Sequence, residues 1–151
     1  MTTRIVLVRH GETEFNAEGR LQGQTDIPLS AVGIAQAEAV GPVIAGMSPV
    51  AIVSSPLMRA RVTAETIGRV AGVEVGVDER LKEVDVGQWA GQTVLDLHRN
   101  DPDYARLMAS GEDFRRSSGE TTAEVAGRVT SAVQDAVRAH EGETVCLAVS
   151  Y

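Results

Sequence analysis

A chain of 151 residues, 43% hydrophobic and 23% charged, has the length and balance of one globular domain able to bury a core. Its formal net charge of −7 excludes a general nucleic-acid or anionic-membrane binder, since such a protein draws its affinity from a positive face. An anionic small molecule stays open wherever arginines converge, and thirteen of the 14 basic residues are arginine, Lys82 being the exception. No apolar run approaches the roughly 20 residues of a membrane span, and no basic segment followed by an apolar one opens the chain, so the expected compartment is the cytoplasm. The lone Cys146 has no internal disulfide partner and sits in Val145–Val149, an apolar run that reads as a buried strand.

In chain order, Arg4 to Asn16 opens with a run of β-branched residues and Leu suited to a strand buried on both faces, and it stops at Arg9-His10-Gly11. Open α/β sheets bind ligands at such carboxyl ends. Gly11 permits a sharp turn and close approach, and Arg9 carries a planar fork matched to phosphate or carboxylate. His10 between them is a candidate nucleophile, Arg9 an oxyanion clamp, and Thr13 and Asn16 neutral donors. Residues 19–29 carry two glycines and little periodicity, and read as a loop able to fold over a ligand, with Asp26 and Pro28 as turn chemistry. Ser30 then caps a packing helix to about Ala45 or Met47, its apolar residues Val32, Ala35, Ala39, Val43 and Met47 near helical spacing.

Val50–Val53 is a second strand, and Ser55-Pro56 reads as cap and first turn of a helix that turns Ala60, Thr63, Ala64, Ile67 and Ala71 inward. Arg59 falls in that first turn, where a phosphate would meet both a guanidinium and the positive helix end. Val73–Val77 is a short third strand. Beyond it, Trp89 reads as packing and Glu83, from its own residue type, as an ordinary glutamate. Helices are expected at Thr93–Arg99 and Pro102–Ala109 in an otherwise polar stretch with the form of a lid, and Arg115-Arg116 reads as a solvated pair or a lid contribution. Thr121 with Glu124 makes a capping box ahead of the stripe Val125, Val129, Val133 and Val137. That helix ends near Glu141-Gly142 with His140 capping it, and Thr144–Val149 is a fourth strand.

Three strings in this chain resemble signatures of the histidine phosphatase superfamily, which contains cofactor-dependent phosphoglycerate mutases and many phosphomonoesterases. They are Arg9-His10-Gly11-Glu12-Thr13 with Asn16, Ser54-Ser55-Pro56-Leu57 with Arg59-Ala60, and Leu81 and Glu83 followed by Gly87, Trp89 and Gly91. The resemblance implies an α/β fold of three layers, α/β/α, around a mostly parallel sheet with strand order 3-2-4-1. It implies His10, Glu83, Arg9 and Arg59 as catalytic residues, with Glu83 the proton donor, and Arg9, Thr13, Asn16, Gln22, Gly23 and Arg59 as phosphate or substrate ligands. No metal or cofactor is expected, because the scheme needs none and no His/Cys/Asp/Glu cluster has ligand spacing. Glu120, in the family's Gly-Glu-Ser place, reads as structural first and as a site residue second.

The family pattern departs at Val149-Ser150-Tyr151, where Tyr151 stands in place of a second histidine and the strands that follow in the family are absent. A phenol brings no positive charge to phosphoryl oxygens, so the electrostatic contribution is expected to weaken. The first strand then forms a sheet edge, from which self-association is expected. The implied function is phosphomonoester hydrolysis on a small phosphorylated metabolite through a phosphohistidine. Mutase-type phosphoryl transfer and an inactive phosphate-binding fragment are the alternatives. Val84-Asp85-Val86 after Glu83, where the mutases have Arg-His-Tyr, favours the phosphatase.

Overall fold

The computed structural model describes residues 1–150. Strands β1 (Arg4–Arg9), β2 (Ala51–Ser54), β3 (Val75–Val77) and β4 (Thr144–Val149) form one parallel sheet in the order β1-β4-β2-β3, as the resemblance implied. The helices are α1 (Glu14–Ala17), α2 (Ala31–Ala45), α3 (Met58–Ala71), α4 (Val94–Asn100), α5 (Pro102–Ser110) and α6 (Thr122–Ala139). Tyr151, on which the expected departure from the family turns, lies outside the described residues.

Alternation along the strands sorts the core into two layers, because successive side chains point to opposite faces. Val8, Ile52, Cys146 and Ala148 pack with Ile44, Ala64 and Ile67 beneath α2 and α3. On the other face Val145 and Leu147 meet Leu81 and Ala132, with Val129 and Val133 of α6 packed against them. Cys146 is fully buried and desolvation pushes its thiol up to about 11, so it serves as a small apolar residue. A third cluster, Val86, Trp89, Leu97 and Tyr104, ties α4 and α5 to the segment after β3. Trp89 donates Nε1–H to Asp101 at 2.9 Å and meets the Tyr104 ring edge-on, so its role is packing. No helix among the described residues is long and apolar enough to cross a membrane.

Two details differ from the expected elements, each for a physical reason. In α2 the buried residues are Gly33, Ala37, Gly41 and Ile44, whereas Val32, Ala35, Ala39 and Val43 are exposed. The helix turns its smallest residues inward because backbone presses on backbone there. A Cβ on Gly33 would collide with the Glu12 carbonyl oxygen, and one on Gly11 with that of Gly33. The second difference is at α3, which starts at Met58, not at Ser55-Pro56, and its N-cap Leu57 makes no side-chain cap bond. The cap comes from Asp26, whose carboxylate accepts the Met58 N–H at 2.7 Å across 32 positions of chain. Asp26 therefore joins the loop to the helix and does not merely shape a turn.

Replacing Gly33 with Ala is expected to cost about 1–3 kcal/mol, the range for overpacking a site whose neighbours cannot retreat. Gly127 in α6 is the control, since a Cβ there meets nothing within 4 Å. Gly127→Ala should stabilise by roughly 0.5–1 kcal/mol, and equilibrium urea unfolding reads both.

Candidate active site

β1 delivers Arg9 and His10 to the carboxyl edge of the sheet, and Gly11 then turns the chain against α2. The Gly11 amide donates to Thr63 Oγ1 at 3.2 Å, and the Thr63 hydroxyl donates to the Arg59 carbonyl at 2.8 Å, which joins the end of β1 to α3. His10 is 7% exposed. Its Nδ1 lies 2.5 Å from the Gly11 carbonyl oxygen, and a carbonyl can only accept, so in the neutral ring Nδ1 holds the hydrogen. Among the described residues Nε2 has no hydrogen-bond partner and is buried with its lone pair, the Ser150 backbone lying close enough to act on the ring's titration. Burial lowers the imidazole to about 4, helped by the charges of Arg59 and Arg9. At neutral pH the ring is uncharged.

Arg59 is fully buried at the start of α3. Its Nη1 donates to the Thr25 carbonyl at 2.8 Å and its Nη2 to the Gly23 carbonyl at 2.7 Å, with the Ser150 carbonyl at 3.4 Å. Nε has no partner. Gly23 (φ +52°) offers its carbonyl from a left-handed conformation, and a Cβ there would strike the Val86 side chain. No carboxylate forms a salt bridge with this guanidinium among the described residues, and desolvation lowers its pKa while Glu83 and Asp26 act from farther off to raise it. A buried cation held only by carbonyls favours an incoming anion.

Thr13 and Asn16 close the other side. Thr13 is the N-cap of α1 and accepts from the Asn16 amide nitrogen at 3.2 Å, while Asn16 Oδ1 accepts from the Thr13 N–H at 3.0 Å. The Thr13 hydroxyl lies 2.6 Å from Gln22 Oε1 and is fully buried. Thr13 is thereby committed to holding Asn16 and Gln22 and does not line the cleft. With its Oδ1 occupied, Asn16 helps line a cleft of about 380 Å³ together with Arg9, His10, Gly11, Glu12 and Gln36.

Glu83 belongs to a separate hollow of about 170 Å³, which it lines with Val84, Arg116, Thr122 and Val125. Burial raises its carboxyl to about 7 against the pull of the Val84 N–H and of the Arg59, Arg9 and Arg128 charges. Desolvation thus acts oppositely on the two groups and leaves both able to be neutral near pH 7. The charges of Arg9 and Arg59 reach both His10 and Glu83, so these four residues form one electrostatic group spanning two hollows.

Gln36 and Ser150 carry no local signal in the sequence, and Ser55, Arg115 and Arg116 take places different from those read there. Gln36 of α2 lines the cleft and accepts the Glu12 N–H at 2.8 Å. Ser55 and Ser150 are fully buried and joined at 3.1 Å where β2 and β4 end. Arg115 and Arg116 bind the entry to α6, Arg115 through Glu124 and Arg116 through Thr122. Among the described residues no three of His, Cys, Asp and Glu are gathered to hold a metal ion.

The model of the histidine phosphatase superfamily (branch 1) matches residues 5–150. A probable phosphoglycerate mutase of Salmonella choleraesuis is 37% identical over 140 residues, covering 92% of this chain and 65% of the relative. A glucosyl-3-phosphoglycerate phosphatase of Mycolicibacterium vanbaalenii is 39% identical over 134 residues, covering 89% and 60%. The chain thus spans 60% to 65% of the length of these curated relatives. Among solved structures, a mycobacterial glucosyl-3-phosphoglycerate phosphatase complexed with VO3 superposes with a TM-score of 0.92 at 32% identity, over 99% of this chain and 75% of the other. A phosphoserine phosphatase of Entamoeba histolytica, in complex with 3-phosphoglyceric acid, superposes with a TM-score of 0.84 at 34% identity, over 99% and 75%.

The two shifted groups are open to direct titration by NMR. The His10 ring should take up its proton near about 4 and the Glu83 carboxyl near about 7. Ordinary midpoints, about 6.5 for the imidazole and about 4.3 for the carboxyl, would contradict the burial described.

Proposed function

The chain belongs to the histidine phosphatase superfamily, and on that premise we propose that it hydrolyses small phosphomonoesters through a phosphohistidine on His10. The observation that carries this reading is the His10 ring, whose Nδ1 is bonded to the Gly11 carbonyl while Nε2 is buried with no hydrogen-bond partner among the described residues. Nε2 attacks phosphorus and the ester P–O bond breaks. Protonated Glu83 supplies the proton that the departing alkoxide takes up. Ionised Glu83 then removes a proton from water, and the hydroxide displaces His10 from phosphorus, releasing phosphate and restoring both groups. Replacing one displacement by two easier ones is the gain of a covalent nucleophile.

Arg9, Arg59 and the Asn16 amide hold the phosphoryl oxygens as charge shifts through the transition state. Gln22 is placed by Thr13, and Gly23 acts through its carbonyl on Arg59. Both belong to the phosphate pocket as its framing. The relatives include a named phosphatase and a named probable mutase at similar identity. Val84-Asp85-Val86 after Glu83 favours water as acceptor, as read above.

The pH profile follows from the two titrations. Transfer to His10 requires a neutral ring and a protonated Glu83, so its rate should rise as pH climbs past about 4 and fall as pH climbs past about 7. Hydrolysis of p-nitrophenyl phosphate and of an alkyl phosphate by the wild-type chain, His10→Ala and Glu83→Gln tests this. The His10 variant should lose essentially all activity. Glu83→Gln should lose about 10²–10⁴-fold on an alkyl ester and lose the fall above neutrality. Equal hydrolysis by the wild-type chain and His10→Ala would refute the proposal, and interconversion of 2- and 3-phosphoglycerate outpacing phosphate release would select the mutase reading.

A further inference from the structure

Glu83 sits on an irregular segment between β3 and α4, and irregular backbone does not fix a side chain by itself. The segment is anchored from α6. Arg128, in the second turn of that helix, donates Nη1–H to the carbonyls of Arg80 at 2.8 Å and Lys82 at 2.6 Å, and Nη2–H to that of Glu83 at 2.9 Å. Its remaining donors meet Glu120, Nε to Oε1 at 2.9 Å and Nη2 to Oε2 at 2.8 Å. The five donors of the guanidinium are all used.

Glu120 completes the clamp on the far side of Glu83. Its Oε2 accepts the Asp85 N–H at 2.9 Å, and its backbone N–H donates to the Asp85 carbonyl at 2.8 Å. Both members of the pair are largely shielded, at 18% and 23% side-chain exposure. Backbone groups before, at and after Glu83 are therefore held by two side chains that belong to one bidentate pair. Gln24 adds a bond to the Glu83 carbonyl at 3.1 Å.

We propose that Glu120 and Arg128 are positioning residues for Glu83, fixing where its carboxyl meets the leaving-group oxygen. This rests on the role given to Glu83 above. The pair sets geometry and charge together. Charges facing Glu83 come from Arg128 on α6, Arg59 on α3 and Arg9 on β1, from Arg116 in the same hollow, and from Glu120 behind Arg128. Removing the cation should make Glu83 hold its proton more firmly, and removing the anion less firmly. A merely structural ion pair predicts no such opposition.

The test uses the 151-residue chain and its Arg128→Met, Arg128→Lys and Glu120→Gln variants, with the Glu83 carboxyl titrated by isotope-edited NMR and hydrolysis of an alkyl phosphomonoester, glycerol phosphate, followed in parallel because its leaving group needs the proton. The Glu83 midpoint should rise by roughly 0.5 unit or more in Arg128→Met and fall by a similar amount in Glu120→Gln. In both, kcat should drop about tenfold, because the proton is delivered from a displaced carboxyl, while KM stays within about twofold since Arg9, Arg59 and Asn16 are untouched. Arg128→Lys should restore the midpoint but not kcat, because an ammonium carries the charge without the fork.

Unmoved midpoints in both neutral variants, or kcat within about twofold of wild type in both, would overturn the proposal. Should Arg128→Met fail to fold, Glu120→Gln decides by the same two readings. If no chain hydrolyses the ester, wild type included, the phosphatase reading falls, and the midpoints alone then decide whether the pair governs Glu83.

Discussion

A guanidinium taken out of water constrains everything around it. Arg59 is in that position, and its burial dictates what the neighbouring chain must supply. The carbonyls of Gly23 and Thr25 turn inward to receive it, so residues 22–27 wrap over the start of α3, and Asp26 caps that helix from the same loop. Thr63, one turn on, receives the Gly11 amide and so sets where β1 hands over His10. The positive helix end, the buried cation and the bare imidazole nitrogen are thus parts of one arrangement. The helix end and the cation both favour an anion at that place.

Low polarity then sorts the acid from the base. The same desolvation that strips His10 of its proton lets Glu83 keep one, and the arginines assist the first effect while limiting the second. On the proposed mechanism the separated titrations leave the nucleophile and the acid both in working form between them. The proposed α6 clamp belongs to this scheme because it would give Glu83 a fixed place on a stretch, residues 82–86, that lies outside any helix or strand.

The parts of this scheme legible in the chain were those encoded locally. Strand β4 matched its expected span, an apolar run ending in Arg9-His10-Gly11 marked a strand end, and Thr121 with Glu124 formed the expected capping box. Arg59 could be read because a turn signal and a strand precede it. The inward face of α2 could not, since hydrophobicity pointed to Val32, Ala35, Ala39 and Val43, whereas close backbone approach demanded Gly33, Ala37 and Gly41. Asp26 as a distant cap, Gln36 on the cleft and the bond from Arg128 to the Glu83 carbonyl, 45 positions apart, exist only through contacts between remote segments. Thr13 was assigned to the ligand by its motif, and the fold spends its hydroxyl on Gln22 and Asn16 instead.

The central claim is that His10 Nε2 bonds covalently to phosphorus. Mixing the chain with a phosphomonoester, quenching within the first turnovers under alkaline denaturing conditions and mapping the modified peptide by mass spectrometry tests that bond itself. The account predicts one acid-labile phosphoryl group, located on His10, which appears with substrate and decays as phosphate is released. Turnover with no adduct, or a phosphoryl group on any other residue, would contradict it.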